Sequence, residues 1–285
     1  MSLLRVPRPN NSKNSKFPQR KQLCNGLKFS KYHGAGNDFI LVEDFEKTFP
    51  HALVKQFCDR RLGIGADGLI LAQPSSIADY QMVYFNADGS HAGMCGNGLR
   101  CFVHFLRDLG KLVSKVEVAG KVLTVKCIAS KILIFLPLPK ILHWKIELLS
   151  RMVSVVDVGV PHVVVFADDE VDVLREGRAM RYHEKLLPEG ANVNFFWKTK
   201  EGNFRMRTYE RGVENETLAC GTGAVSCAFV ANRLGLCDKE VAIQTSSNEI
   251  LEVRIGNEVE LTGPSEKVFD GLWDCKTGVH AHFFK

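Results

Sequence analysis

Two stretches of the chain share one rhythm of apolar and polar positions. After Cys95, apolar residues fall at Leu99, Phe102, Val103, Phe105, Leu106 and Leu109; after Cys220 they fall at Val225, Ala228, Phe229, Val230 and Leu234. Recurrence at three and four residues predicts a helix with one buried face in each place. Both runs stop at Leu-Gly, with Gly110 and Gly235 each fifteen residues beyond its cysteine, and glycine suits a helix C-terminus. Strand-like runs precede each cysteine, YQMVYF (80–85) and FRMRTY (204–209), and others begin twenty-one residues after it, at Val116 and Val241. The chain therefore reads as two copies of one unit offset by 125 residues, a duplicated domain rather than a solenoid. The expected division is 27–150 and 151–285, with LPLPKILHW (136–144) as the crossing. Short β-rich runs around one or two helices per half predict an α+β class.

Charge and cysteine content narrow the setting. The net charge of +5 comes from residues 1–26, which hold six basic and no acidic residues and leave 31 basic against 32 acidic in the body. A basic extension on a neutral body is a poor footprint for nucleic acid, which calls for basic residues clustered on a folded face. The extension, rich in Asn, Ser, Pro and Lys, is expected to be disordered. It lacks the apolar core of a secretory signal; a transit peptide or an upstream start are the other readings. No uncharged apolar run reaches the length of a membrane span. Nine cysteines, an odd number without an export signal, suggest free thiols in a reducing, cytoplasmic setting. The closest pairs are spaced C-x5-C and C-x6-C, neither a usual zinc nor thioredoxin spacing, and no metal is expected.

The chemistry concentrates where the repeats begin. MCGNGLRC (94–101) and ACGTGAVSC (219–227) each place a cysteine and two glycines at a predicted helix start. A helix N-terminus offers unsatisfied N–H groups and positive dipole, so a carboxylate could bind at Gly96–Asn97 or Gly221–Thr222. The same position lowers a thiol's pKa toward neutrality. A pseudo-twofold axis would set the two starts face to face, with one sulfur on either side of a bound α-carbon. A thiolate and a thiol could then invert that carbon, exchanging roles with direction and needing no cofactor. Two other readings stay open: inert cysteines whose glycines only shape turns, and a redox pair. His162 lies 58 residues before Cys220 and Asn37 lies 58 before Cys95, which puts them in equivalent places of the two halves.

The motifs KYHGAGNDFILVED (31–44), RRLGIGADGLI (60–70), YFNADGS (84–90), MCGNGLRC, GVPHVVVF (159–166), ANVNF (191–195), YERG (209–212) and ETLACGTGA (216–224) resemble those of diaminopimelate epimerase, a cofactor-independent isomerase of lysine and cell-wall synthesis. The resemblance covers residues 27–285. It implies two pseudo-symmetric lobes, each a β-barrel-like sheet wrapped around a central helix. It implies Cys95 and Cys220 as the acid–base pair interconverting L,L- and meso-diaminopimelate. Gly96, Asn97, Gly221 and Thr222 would hold the reacting carboxylate. Asn37, Asn86, Asn192, Glu210 and Arg211 would bind other polar groups of the substrate, and His162 and Glu210 would tune the thiols. A small amino acid is the implied partner, with neither membrane nor nucleic acid, and a homodimer is left open.

Three departures from the family pattern matter. VEN (213–215) is longer than the usual link between Arg-Gly and Glu-Thr, the 26-residue extension is additional, and Val160 stands where many members have Asn. Valine offers no side-chain hydrogen bond, so relaxed specificity toward a shorter acidic amino acid such as glutamate is expected from it. The rival readings are a racemase of the same fold acting on another amino acid and a non-catalytic thiol redox or binding protein.

Overall fold

The computed structural model describes residues 26–128, 131–167 and 171–273. Apart from Gly26, the basic extension expected to be disordered lies outside these residues, as does Cys275.

The first half supplies β1 (Leu27–Gly34), β2 (Asn37–Glu43), the short helix α1 (Val54–Cys58), β3 (Gly68–Gln73), β4 (Tyr80–Asn86), α2 (Gly96–Asp108), β5 (Lys115–Val118), β6 (Lys121–Ile128), β7 (Lys131–Leu136) and β8 (Lys140–Leu148). The second half follows the same plan: β9 (Arg151–Asp157), β10 (Pro161–Phe166), α3 (Val173–Arg181), β11 (Asn192–Lys198), β12 (Phe204–Glu210), β13 (Asn215–Thr217), α4 (Gly221–Arg233), β14 (Glu240–Gln244), β15 (Ile250–Ile255), β16 (Val259–Gly263) and β17 (Glu266–Trp273).

Strand pairing repeats as well. From β1 to β7 each strand pairs with the next, and the β2–β3 and β4–β5 pairs are parallel while the others are antiparallel. From β9 to β16 the same alternation recurs, with β10–β11 and β12–β14 parallel. The result is two pseudo-symmetric lobes, joined edge to edge by the antiparallel β7–β16 pair. The halves also exchange their last strands: β8 pairs with β9, and β17 pairs with β1. The two sequence halves and the two spatial lobes therefore differ by one strand each. The chain passes between lobes at residues 137–139, inside the stretch read as the crossing.

Burial follows the layers. β15 alternates exposed and buried positions because one face meets solvent, whereas every residue of β3 is buried. β3 is covered on both sides, by α2 and by α1, and such strands read as continuous apolar runs. Each lobe wraps its sheet around one central helix. α2 packs against β1, β2, β3, β7 and β17, and α4 against β9, β10, β11, β15 and β16. One apolar core runs through both central helices. A smaller cluster lies on the far side of each lobe, beneath α1 and α3.

The predicted helix ends hold in detail. In α2, Lys111 N–H bonds Leu106 O and Gly110 N–H bonds Arg107 O; in α4, Leu236 bonds Ala231 and Gly235 bonds Asn232 in the same way. Gly110 and Gly235 have φ of 72° and 74°, the left-handed conformation this double-bonded stop requires.

Candidate active site

Both central helices begin at a cysteine in the same conformation. Cys95 has φ −131° and ψ 112°, and Cys220 has φ −134° and ψ 109°; the following glycine is the first helical residue of each. The two starts meet. A Cβ placed on Gly96 would lie 3.6 Å from Gly221 Cα, and one on Gly221 would lie 3.5 Å from Gly96 Cα. Each would also press on Leu261 Cδ2, at 3.3 Å and 3.1 Å, so glycine at both positions permits the approach. Asn97 ties the starts together, its side-chain N–H donating to Ala219 O across the lobes at 3.0 Å.

Around the first start, Cys95 Sγ accepts the Gly98 N–H at 3.4 Å. Asn37, the first residue of β2, turns its Oδ1 to Cys95 Sγ (3.8 Å) and to Asn97 Nδ2 (3.3 Å), and its own Nδ2 donates to Asp67 at 2.7 Å. Asp67 thereby fixes the orientation of that amide. Arg60 bonds both Asp67 and Asp38, and Lys31 pairs with Asp38. At the second start, Cys220 Sγ lies 3.6 Å from Thr222 Oγ1. Glu210, at the end of β12, accepts the Thr217 hydroxyl at 2.7 Å.

Electrostatics depart from the sequence expectation. Burial pushes the Cys95 thiol up to about 11, with the Glu210 carboxylate adding to it and the Gly98 N–H and Arg100 acting in the opposite sense. Burial likewise raises Cys220, again with Glu210 adding and with Thr222 and the Gly223 N–H opposing. The lowering expected of a helix-start thiol is overcome because removal from water penalises the thiolate more than a few N–H groups repay. Both shifts favour the protonated thiols in the enclosed site, so the reaction starts once one of them has ionised. Burial also raises the carboxyl of Glu210, while the Thr217 hydrogen bond works against it.

His162 is fully buried on β10, and burial depresses its pKa to about 3, so it stays neutral. Asn194 defines its tautomer. The Asn194 amide N–H₂ donates to Val163 O and faces His162 Nδ1 at 3.1 Å, while its Oδ1 accepts the Thr208 hydroxyl. Nδ1 is then the acceptor and Nε2 carries the proton. That buried Nε2 has no partner among the described residues.

The other sequence-selected residues make their hydrogen bonds and ion pairs with groups other than the sulfurs. Asn192 accepts the main-chain N–H of Arg211 at 2.8 Å, and the Arg211 guanidinium lies 3.8 Å from Glu189. Asn86 bonds Ser90 within its own turn. Among the described residues, no hydrogen bond joins Asn86, Asn192 or Arg211 to a cysteine or a helix start, and none joins His162 or Glu210 to a sulfur.

Sequence reasoning missed Asp67, Asn194 and Arg100. Asn192 and Asn194 stand at i and i+2 in an apolar strand, hence on one face, and that pairing was the available signal. Arg100 is charged yet falls on the buried face of α2, four residues after Gly96, a placement that composition alone does not flag.

Two lobes built from one duplicated sheet, each presenting a cysteine at the start of its central helix, define a class of proteins. Solved structures share this fold. A hydroxyproline epimerase from Agrobacterium vitis superposes with a TM-score of 0.68 at 14% identity, covering 86% of this chain and 90% of that one. A phenazine biosynthesis protein of the PhzF family from Bacillus anthracis gives 0.66 at 15% identity, covering 86% and 98%. At such identities the likeness speaks to fold. The diaminopimelate epimerase family model matches residues 29–130 and 154–268. A diaminopimelate epimerase of Hydrogenobaculum sp. is 39% identical over 268 residues, spanning 85% of this chain and 97% of the relative. One of Methanocella arvoryzae is 40% identical over 273 residues, spanning 87% and 97%. The chain belongs to the diaminopimelate epimerase family.

Proposed function

We propose that the protein is a two-base epimerase interconverting L,L- and meso-diaminopimelate, with Cys95 and Cys220 as its acid–base pair. The observation that carries this reading is the meeting of two equivalent helix starts, each led by a cysteine, at Gly96 and Gly221. A carboxylate between them would accept main-chain N–H groups from both starts, which favours negative charge where the α-carbanion's charge spreads onto carboxylate oxygen. Each sulfur would then lie on one face of the α-carbon. One, as thiolate, takes the α-proton; the other, as thiol, returns a proton to the opposite face. The reverse reaction exchanges the roles.

Burial serves this chemistry. A thiol with a raised pKa is a stronger base once ionised, and the enclosed site shields the carbanion from water. Burial raises both thiols and Glu210 adds to the rise in each. His162, held neutral with its proton on Nε2, is a buried donor suited to hydrogen-bond an anion. Asn37, steered by Asp67, orients the Cys95 thiol. Asn86, Asn192 and Arg211 are assigned to the far end of the substrate, where Arg211 would grip the second carboxylate in a bidentate manner.

Among the described residues no helix is long and apolar enough to cross a membrane. The substrate is a small amino acid free in solution, and the reading places the enzyme in the cytoplasm. Incubation with L,L-diaminopimelate followed by chiral chromatography tests the assignment. Appearance of the meso isomer, approached from either side, is expected. Turnover of another amino acid with none of diaminopimelate would overturn it.

A further inference from the structure

Arg100 is the largest fully buried side chain of the molecule's described part, and its charge is unmatched. Its Nη2 donates to Asn97 Oδ1 at 2.8 Å, its Nη1 to Gly96 O at 3.3 Å and its Nε to Pro264 O at 3.2 Å, all neutral groups. No carboxylate pairs with it among the described residues. Three other buried or half-buried cations here have acidic partners: Lys31 has Asp38, Arg181 has Glu214 and Arg207 has Glu216. A guanidinium remains ionised in proteins, and a buried ion without an opposite charge is costly. The position of this one is specific. A Cβ on Gly221 would lie 3.5 Å from Arg100 Nη1, and one on Gly96 would lie 4.0 Å from it. The guanidinium therefore sits directly behind both helix starts. The equivalent residue of the second half, 125 positions on, is Val225, so one cation serves both starts.

We propose that Arg100 is the fixed counter-charge of the site, a positioning residue that makes the space between the two helix starts selective for an anionic group. The inference rests on the epimerase reading for the identity of that anion, the carboxylate of the reacting amino acid. Arg100 acts through two routes. Its charge adds to the N–H groups of both starts across a short, water-poor distance, where Coulomb interactions are strong. Its bond to Asn97 Oδ1 also fixes that amide, leaving Nδ2 to reach Asn37 and Ala219. A lowering influence on the Cys95 thiol is consistent with the same placement.

A pair of alkylating agents tests this without diaminopimelate, so failure of the epimerase reading would leave the outcome legible. Iodoacetate carries a carboxylate; iodoacetamide is its neutral counterpart. Modification of Cys95, Cys220 and the exposed Cys127 is followed by peptide mass spectrometry, with Cys127 as internal reference. In the wild-type protein the iodoacetate-to-iodoacetamide rate ratio should be higher at the site thiols than at Cys127. Arg100→Met should lower the site ratio by about tenfold and leave Cys127 unchanged, whereas Arg100→Lys, keeping the charge, should preserve most of it. An unchanged ratio in Arg100→Met, or a lysine variant as weak as the methionine one, would assign Arg100 to packing alone and overturn the proposal. Should Arg100→Met not fold, the wild-type protein carries a second test. Propionate should protect Cys95 and Cys220 from iodoacetamide and propionamide should not; equal protection by the two would also overturn it.

Discussion

Asn97 of the first lobe donates its side-chain amide to the carbonyl of Ala219 in the second, 3.0 Å away, and Ala219 immediately precedes Cys220. One hydrogen bond thus couples the residue after Gly96 to the residue before the second cysteine. It links the two halves of the site directly, and its geometry is over-determined, since the Asn97 oxygen is held by Arg100 at 2.8 Å. Asn97→Ala takes the amide partner from the Ala219 carbonyl and from one buried guanidinium nitrogen, Nη2 of Arg100. The expected cost is about 1–3 kcal/mol of stability, with a larger proportional loss of activity than of folded protein. Thermal melts and kcat/KM measured on the same preparation check this. A variant that loses stability but turns over normally per folded molecule would show the tie to be dispensable.

The cysteines divide into two kinds. Cys95 and Cys220 lead the helices, while Cys101 and Cys227 are fully buried further along them. Replacing either leading cysteine by Ala should lower epimerisation by about 10²–10⁴-fold, because one face of the α-carbon loses its proton carrier. Cys101→Ala and Cys227→Ala should retain the chemistry at a modest cost in stability. Steady-state rates and melting temperatures separate the two classes, and equal loss from all four would argue for a structural role throughout.

How much of this was legible beforehand depends on the range of the interaction. The two helices, their cysteine starts and their glycine stops are local, periodic features, and all were readable. The equivalence of Asn37 and His162 followed from counting residues, and both stand at the starts of equivalent strands, Asn37 first in β2 and His162 second in β10. The exchange of β8 and β17 was not readable, because alternation along a strand says which face is buried and nothing of which strand lies beside it. The direction of the thiol shifts was misread for a related reason. A helix start is visible in sequence, but the burial that outweighs it comes from both lobes closing together. Arg100 gives no sign in the sequence, since a single charge on an apolar face carries no mark of its missing partner.

His162 gives a pH prediction with a definite sign. Its folded pKa is about 3, against about 6.5 when unfolded, so between these values the unfolded chain binds a proton that the folded protein cannot. Stability should therefore decline as pH falls from about 6.5 toward 3, by several kcal/mol. Melting temperatures of the wild type and of His162→Gln across this range should diverge, with the variant showing the flatter acid limb. Parallel curves would mean that other groups dominate acid unfolding.

Val160 bears on specificity. It is half-buried beside Pro161 and His162 and can make no side-chain hydrogen bond. A hydrogen bond to a charged group at the far end of the substrate would be worth about 1.5–3 kcal/mol, or roughly 10–150-fold in binding. Val160→Asn should therefore raise the ratio of kcat/KM for diaminopimelate over glutamate, through KM more than kcat. An unchanged ratio, together with no glutamate turnover by the wild type, would show that this position does not discriminate.

The central claim is that two different sulfurs work on opposite faces of one carbon, and isotope placement in deuterium oxide reads it directly. L,L-diaminopimelate is converted to a small extent, and the α-positions of both product and recovered substrate are analysed. With Cys95 and Cys220 as separate proton carriers, the incoming deuteron comes from the sulfur that did not accept the outgoing proton. Solvent deuterium should then appear in the meso product while recovered substrate keeps its α-hydrogen. Deuterium entering substrate as fast as product would mean that a single group serves both faces, and that result would contradict the two-thiol account.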